Sequence, residues 1–387
     1  MADPKITRAE IHEIEYDQKN VGPDETFFNA VYRPGTTSKR KASILRLITD
    51  AGVTGEYLGR GTVEFLTFSM IWPYLKGKNA LEREKIYDDV KRALRQLSRV
   101  GIAPVDNALW DLAGKFHDVS IYKLLGGYKT SVPCYASTFH ADSNGGLDSP
   151  QAYADFAVQC KEKGYPAFKI HGWNGSNVAQ EIENIQAVRK AVGEDMQLMI
   201  DPACELTTFA DALRVGWACD EARFLWYEDP FRDGGISQFG HKRLRHFIRT
   251  PLLLTEHVRS LEPHIDFALA DATDFVRGDV SYDGITATMK LAHACEALGI
   301  DLEIHAPGPE VRQCMAAIRN TNYYEMALVH PKEMSPLMPP GIFKDYRDDL
   351  DAVDARGHVP VPQGPGLGVE INWDMVKRLT ISVKKFD

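Results

Sequence analysis

Six short apolar runs between residues 167 and 305 end in side chains able to ligate a cation or move a proton. AFKIH (167–171) closes on Lys169 and His171, QLMID (197–201) on Asp201, FLWYE (224–228) on Glu228, PLLLTE (251–256) on Glu256, FVRGD (275–279) on Asp279 and LEIH (302–305) on His305. A seventh run, YYEMAL (323–328), contains Glu325. From Asp201 onward the intervals are 27, 28, 23 and 26 residues, about the length of one strand–helix unit. Side chains that end successive parallel strands share one rim, and in a parallel barrel that rim is where chemistry is done.

Asp201, Glu228 and Glu256 are expected from three adjacent strands. Carboxylates brought together repel one another and give up their charge unless a cation holds them. Hard oxygen donors of this number suit Mg²⁺, which keeps open positions for water or substrate oxygens. A single strand-end acid would more simply be solvated or cap the next helix; three in succession, each after an apolar run, point to a metal. Lys169 and His171 are two apart on a strand and so project to the same side. Either could take a proton beside the metal; the plainer alternative is a lysine paired with a rim carboxylate and a histidine bonded to the backbone. An Asp279 carboxylate accepting from His305 would fix the imidazole tautomer and make a second acid or base on the opposite flank, or the two are a pair that merely stabilises the barrel. Glu325 could meet a substrate oxygen or pair with Lys169. His257 follows Glu256 and by strand alternation should point away, which predicts a structural role. HKRLRH (241–246) reads as a solvated basic face, and FLTFSMIWPYL (65–75), with Trp72 and Tyr74, as packed core.

These side chains need a scaffold. With VPCYAST (132–138) there are eight strand candidates, separated by stretches that are mostly helical in pattern, such as SPQAYADFAVQCKEKG and GITATMKLAHACEALG. Such alternation predicts parallel strands with crossover helices, and eight of them close a barrel. An open doubly wound sheet is the alternative, but no GxGxxG follows the first strand. The first 130 residues read as an α+β unit: ITRAEIHEIEYD alternates like a strand, KASILRLITDAGVTGEYLGRG reads as two strands joined at TDAG with Gly52 suited to positive φ, and helices are expected over 81–98 and 104–119, the second with Pro104 near its start. The expected organisation is a unit over 1–130, a barrel over 131–330 and a segment over 331–387 that is rich in Pro and Gly (MSPLMPPGIF, VPVPQGPGLG) and ends in the helical stretch NWDMVKRL.

Composition narrows the classes. At 387 residues with 44% hydrophobic and 26% charged, the chain is an ordinary folded protein rather than a disordered one. A net charge of −9 from 54 acids and 45 bases argues against a nucleic-acid binder. The six cysteines form no CxxC, as expected of a reduced, intracellular chain. MADPKITRAEIHEIEYD has no apolar core, so no signal peptide is expected. No apolar run approaches the roughly 18 residues of a membrane span. A cytoplasmic protein, free of membrane and nucleic-acid partners, is expected.

With these motifs in place, the chain resembles the enolase superfamily and, within it, the mandelate racemase subgroup. VDNALWDLAGK (105–115) looks like the helix that family carries before its barrel, MIDPA, YEDPF and LLLTEH like its metal-bearing strands, VRGDVSYDGITATMK like its Asp strand and following helix, and IHAPG like its His strand. The resemblance spans essentially the whole chain. It implies an α/β architecture: an N-terminal α+β capping domain, a modified TIM barrel of (β/α)7β form, and a C-terminal segment returning to the cap. It also implies Mg²⁺ on Asp201, Glu228 and Glu256, a dyad of Asp279 and His305, Glu325 near the substrate oxygens, and, since such barrels often assemble, a homo-oligomer. One departure stands out. Many members carry Lys-x-Lys where this chain has Lys169-Ile170-His171, which leaves open which residue is the base on that face.

The chemistry these parts serve is removal of a proton next to a carboxylate, with stabilisation of the charge left behind. The expected function is dehydration of a sugar acid, an aldonate or aldarate, to a 2-keto-3-deoxy acid. His171 or Lys169 would face the substrate from one side and His305 from the other, with Asn29, Tyr32 and Arg33 of the cap, within the stretches 18–36 and 56–75, as candidates to hold hydroxyls. A racemase or epimerase of a 2-hydroxy or amino acid is the alternative enzyme. A non-catalytic Mg²⁺-binding barrel is the alternative of another class.

Overall fold

A computed structural model describes the whole chain except residues 1, 2, 26, 28, 141, 173–176 and 334–336. Parts of two segments named above, 18–36 and MSPLMPPGIF, therefore lie outside the described residues.

The chain opens with three antiparallel strands, β1 (Ile6–Pro23), β2 (Ala30–Thr49) and β3 (Thr54–Gly59). The β2–β3 turn is the expected one, with Gly52 at φ +75°, where L side chains are strained. Helices α1 (Phe68–Leu75), α2 (Arg83–Ala93), α3 (Ile102–Phe116) and the single turn α4 (Ile121–Leu124) follow. Phe65, Phe68, Ile71, Trp72 and Leu75 are buried, so the aromatic stretch is core, as its pattern suggested. Helix α2 is shorter than expected: it ends at Ala93 and tightens into a 3₁₀ turn over Arg95–Leu97.

Strand and helix then alternate through β4 (Ser131–Thr138), α5 (Pro150–Glu162), β5 (Ala167–His171), α6 (Val178–Val192), β6 (Gln197–Asp201), α7 (Phe209–Ala222), β7 (Trp226–Glu228), α8 (Gln238–Arg245), β8 (Leu252–Leu254), α9 (Leu261–Leu269), β9 (Phe275–Gly278), α10 (Val280–Leu298), β10 (Asp301–Ile304), α11 (Pro309–Met315) and β11 (Tyr324–Val329). Helices start where side chains can satisfy their free N–H groups: Ser149, Thr208 and Ser237 accept from Ala152, Asp211 and Gly240 at 3.2, 3.1 and 3.1 Å. The eight strands form one parallel ladder in the order β10-β9-β8-β7-β6-β5-β4-β11. Both faces are covered, so strands such as β8, LLL, are apolar throughout. The two ends of the ladder are tied by side chains: Glu303 on β10 accepts from Asn322 Nδ2 at 2.6 Å, and Glu325 on β11 accepts from the Ala306 N–H at 2.7 Å. A curled parallel barrel beside a separate antiparallel sheet is the expected fold class.

After β11 come β12 (His358–Pro360), antiparallel to β4, then α12 (Trp373–Leu379) and β13 (Thr380–Phe386), antiparallel to β1. The cap sheet thus runs β13-β1-β2-β3. One reading is corrected here. HKRLRH is not a wholly solvated face, because His241 and Leu244 of α8 are buried and His241 Nδ1 lies 2.7 Å from the Ser237 carbonyl.

Helix α3 joins cap and barrel. Asp106 accepts from the Thr286 N–H at 2.8 Å and its hydroxyl at 2.6 Å, and Asn107 accepts from the Ile285 N–H at 3.0 Å and donates to the Val280 carbonyl at 3.1 Å. On the other side α3 lies so close to β3 that a Cβ on Gly55 would sit 2.1 Å from the Ala108 carbonyl oxygen and 2.7 Å from Leu112 Cβ. Gly55→Ala is expected to cost about 1–3 kcal/mol, as overpacking against backbone does, read as a lowered urea midpoint at unchanged slope.

Candidate active site

The inward-facing residues of the barrel strands make two layers. Tyr135, Ala167, Met199, Trp226 and Leu253 form an apolar floor. Two residues further along the same strands stand Lys169, Asp201 and Glu228, all buried, so strand alternation itself lifts charge off the floor into the mouth. A cavity of about 730 Å³ opens there, walled by Lys169, His171, Asp201, Glu256, His305 and Glu325 on the barrel side.

Asp201, Glu228 and Glu256 each offer one carboxylate oxygen, all within 4.8 Å of one another. Hard donors at that separation, two of them buried and Glu256 half-buried, fit a divalent cation that prefers oxygen. The charge is balanced by two fully buried cations. Lys169 Nζ lies 2.9 Å from Glu228, 3.0 Å from Glu325 and 3.5 Å from Asp201. Arg277, on β9, reaches Glu325 at 2.6 Å and Glu228 at 3.0 Å, and donates to the Tyr135 hydroxyl at 3.0 Å. Burial alone would lower the Lys169 ammonium, but Glu228 and Glu325 outweigh it and hold Lys169 well above the usual lysine range. Burial likewise opposes ionisation of Glu325, and Lys169 and Arg277 overcome it.

The two imidazoles flank this group. His171 Nδ1 sits 2.5 Å from the Thr138 carbonyl, which can only accept. That contact places the ring proton on Nδ1 and turns Nε2 toward Asp201 at 3.4 Å. On the far side His305 Nδ1 lies 2.6 Å from Asp279, and its Nε2 is 3.4 Å from Glu256. Asp279 also caps α10, accepting from the Ser281 N–H at 2.7 Å, so the helix-capping and His-orienting readings hold together. Burial lowers His305, but Glu256 and Asp279 prevail and raise it above the ordinary histidine value.

Strand alternation also misled. Strand β8 stops at Leu254, and Thr255 takes φ +90°. The period of two is broken there, so Glu256 and His257 both face the cavity. The same happens after β7, where Asp229 at φ +30° turns in beside Glu228. Two further residues were missed. Arg277 lies two before Asp279 on one strand and points the same way, a signal that was present. His140 stands just past β4 with its ring 4.2 Å from that of His171; burial, then the nearby His171, keeps it well below the usual histidine value.

On the cap side, Asn29 lines the cavity but donates its amide to Asp24 at 2.9 Å. Tyr32 is stacked on His330 with ring centroids 4.1 Å apart, and neither it nor Arg33 lines the cavity. Arg40 and Arg60 do line it.

Residues 27–126 match the mandelate racemase/muconate lactonizing enzyme N-terminal domain, and residues 152–375 match the enolase C-terminal domain-like family. D-galactarolactone cycloisomerase of Agrobacterium fabrum is 28% identical, over 96% of this chain and 97% of that protein. Arabinonate dehydratase of Saccharolobus solfataricus is 27% identical, over 82% and 84%. The crystal structure of D-glucarate dehydratase from Agrobacterium tumefaciens complexed with magnesium superposes with a TM-score of 0.87 at 27% identity, covering 98% of this chain and all of that one. No helix among the described residues is long and apolar enough to cross a membrane.

Arg277 is expected to be the stability determinant of the site. Removing one partner of a buried ion pair leaves the other charge uncompensated, at about 3–5 kcal/mol. Arg277→Met should lower the urea midpoint accordingly, and Arg277→Lys, able to meet one carboxylate, should lose less.

In its barrel, its cap and the order of its site motifs, this chain belongs to the mandelate racemase/muconate lactonizing enzyme family of the enolase superfamily.

Proposed function

We propose that the protein is a Mg²⁺-dependent dehydratase of a sugar acid, an aldonate or aldarate. One observation carries this reading: an imidazole Nε2 stands 3.4 Å from the carboxylate triad on each side, His171 at Asp201 and His305 at Glu256. Elimination of water needs a base at the α-carbon and an acid at the β-hydroxyl, and two separate groups supply them. The sugar-acid dehydratases among the relatives support the same class.

Asp201, Glu228 and Glu256 would hold the metal. When bound, Mg²⁺ supplies positive charge at the substrate's carboxylate oxygens. His171 is the base on its face, because its Nδ1 is committed to the Thr138 carbonyl and its Nε2, at the edge of the triad, is the nitrogen left to take the α-proton. Lys169 is not that base: its three ammonium hydrogens face Glu228, Glu325 and Asp201. It stays charged and stabilises the negative charge that develops on the carboxylate. His305, held by Asp279, gives its proton to the β-hydroxyl as the C–O bond breaks. Water leaves, and the enol that remains becomes a 2-keto acid. Glu325 holds Lys169 and Arg277 in place rather than meeting the substrate directly.

Incubation with a library of aldonates and aldarates in the presence of Mg²⁺ should release a 2-keto acid that reacts with semicarbazide, and EDTA should abolish it. Solvent deuterium entering the α-carbon of an acid without loss of water would instead indicate an epimerase. With a substrate in hand, the division of roles is testable. His171→Asn should lose both α-hydrogen exchange and dehydration. His305→Asn should retain exchange while dehydration falls about 10²–10⁴-fold. Loss of exchange in His305→Asn with exchange intact in His171→Asn would reverse the assignment.

A further inference from the structure

The cavity wall carries a second group of metal-ligating side chains that the dehydration chemistry does not use. Cys204, Asp229 and His257 come from the loops after β6, β7 and β8, and one ligand atom from each lies within 4.8 Å of the other two. The Cys204 N–H donates to the Asp229 carbonyl at 3.0 Å, which fixes the two loops against each other. His257 Nε2 is 3.7 Å from Asp229 Oδ2. That is close to the spacing between two ligands of one tetrahedral zinc, about 3.3–3.7 Å for bonds of 2.0–2.3 Å.

A second observation points to a ligand. Asp229 is 1% exposed, and neither of its carboxylate oxygens has a hydrogen-bond partner among the described residues. A buried carboxylate without donors is costly and calls for an explanation such as an ion. Glu228 and Glu256 stand nearby, so the surrounding charge is already negative. Lys169 and Arg277, the buried cations of the mouth, are engaged by Glu228 and Glu325.

We infer that Cys204, Asp229 and His257 form a second divalent-cation site that takes a thiophilic metal such as Zn²⁺, beside the all-oxygen triad. The donor chemistry separates the two sites. A thiolate and an imidazole select zinc or cobalt over magnesium, whereas the carboxylate triad suits magnesium. Bound metal deprotonates a coordinating thiol outright, so the half-buried Cys204 becomes a ligand only with the ion in place. His257 is 43% exposed, and the small closure still needed falls on that side chain. Three protein ligands leave the fourth position open to the cavity, for water or a substrate oxygen.

The test uses the full chain saturated with Mg²⁺ and titrated with Co²⁺. A thiolate-to-cobalt charge-transfer band in the near ultraviolet is expected, saturating at one equivalent and displaced by one equivalent of Zn²⁺. Cobalt in the carboxylate triad has no sulfur ligand and cannot give that band. The other five cysteines are buried, and Cys204→Ser should remove the band. His257→Asn, a change at an exposed side chain, should weaken cobalt binding at least tenfold while leaving the circular dichroism spectrum unchanged. Absence of the band, its persistence in Cys204→Ser, or unchanged affinity in a folded His257→Asn would overturn the site.

Discussion

The mouth of this barrel is held together by two buried cations. Asp201, Glu228, Asp229, Glu256, Asp279 and Glu325 all converge there, and no such gathering of acids survives in a low-dielectric site without positive charge built into the fold. Lys169 and Arg277 supply it. Between them they contact Glu228 and Glu325 twice over, which makes Glu325 a brace across the barrel seam: the same carboxylate accepts the Ala306 N–H just past His305. The position of His305 is thereby tied to the ion pairs beneath the carboxylate triad. An electrostatic requirement and a geometric one are met by the same atoms.

The cap is fixed to that arrangement through α3 rather than through loose surface contact. Asp106 and Asn107 take up the backbone where α10 kinks at Gly284, φ +82°. Asp111, one turn on, accepts from the Glu56 N–H at 2.8 Å and the Leu367 N–H at 2.9 Å. One buried helix face therefore binds the cap sheet, the C-terminal segment and the helix that Asp279 caps. Arg60, just past β3, extends the link by donating to the Pro307 carbonyl at 3.2 Å, two residues beyond His305. The polar residues Asp106, Asn107 and Asp111 of VDNALWD are hydrogen-bonding clamps, buried because each finds its partner.

Much of this was legible because a parallel barrel repeats one rule. Apolar run, polar terminus, helix, and again: the period placed the strands and sent Lys169, Asp201, Glu228, Asp279 and His305 to one rim. The rule carries only as far as the strand does. Thr255 and Asp229 leave the extended region, at φ +90° and +30°, and beyond such a residue alternation no longer says which way a side chain points. That is why His257 and Asp229 were hidden; Glu256, which also lies past Thr255, was found as the third strand-end acid of a series and not by its parity. Cap contacts were less legible for a different reason. Asn29 and Tyr32 have the right chemistry, but their partners, Asp24 and His330, are fixed by packing that no local pattern encodes.

The replacement of a second lysine by His171 then acquires a physical sense. A lysine there would bring another fixed positive charge beside Lys169, where the carboxylates are already shared out. An imidazole can stay neutral, and the Thr138 carbonyl sets its tautomer by accepting from Nδ1. The neighbouring His140, held well below the usual histidine value chiefly by burial, adds no charge of its own. The lone pair on Nε2 then points to the triad by construction. In the proposed dehydration, charge stabilisation and proton transfer, which one ammonium would have to combine, are divided between Lys169 and His171.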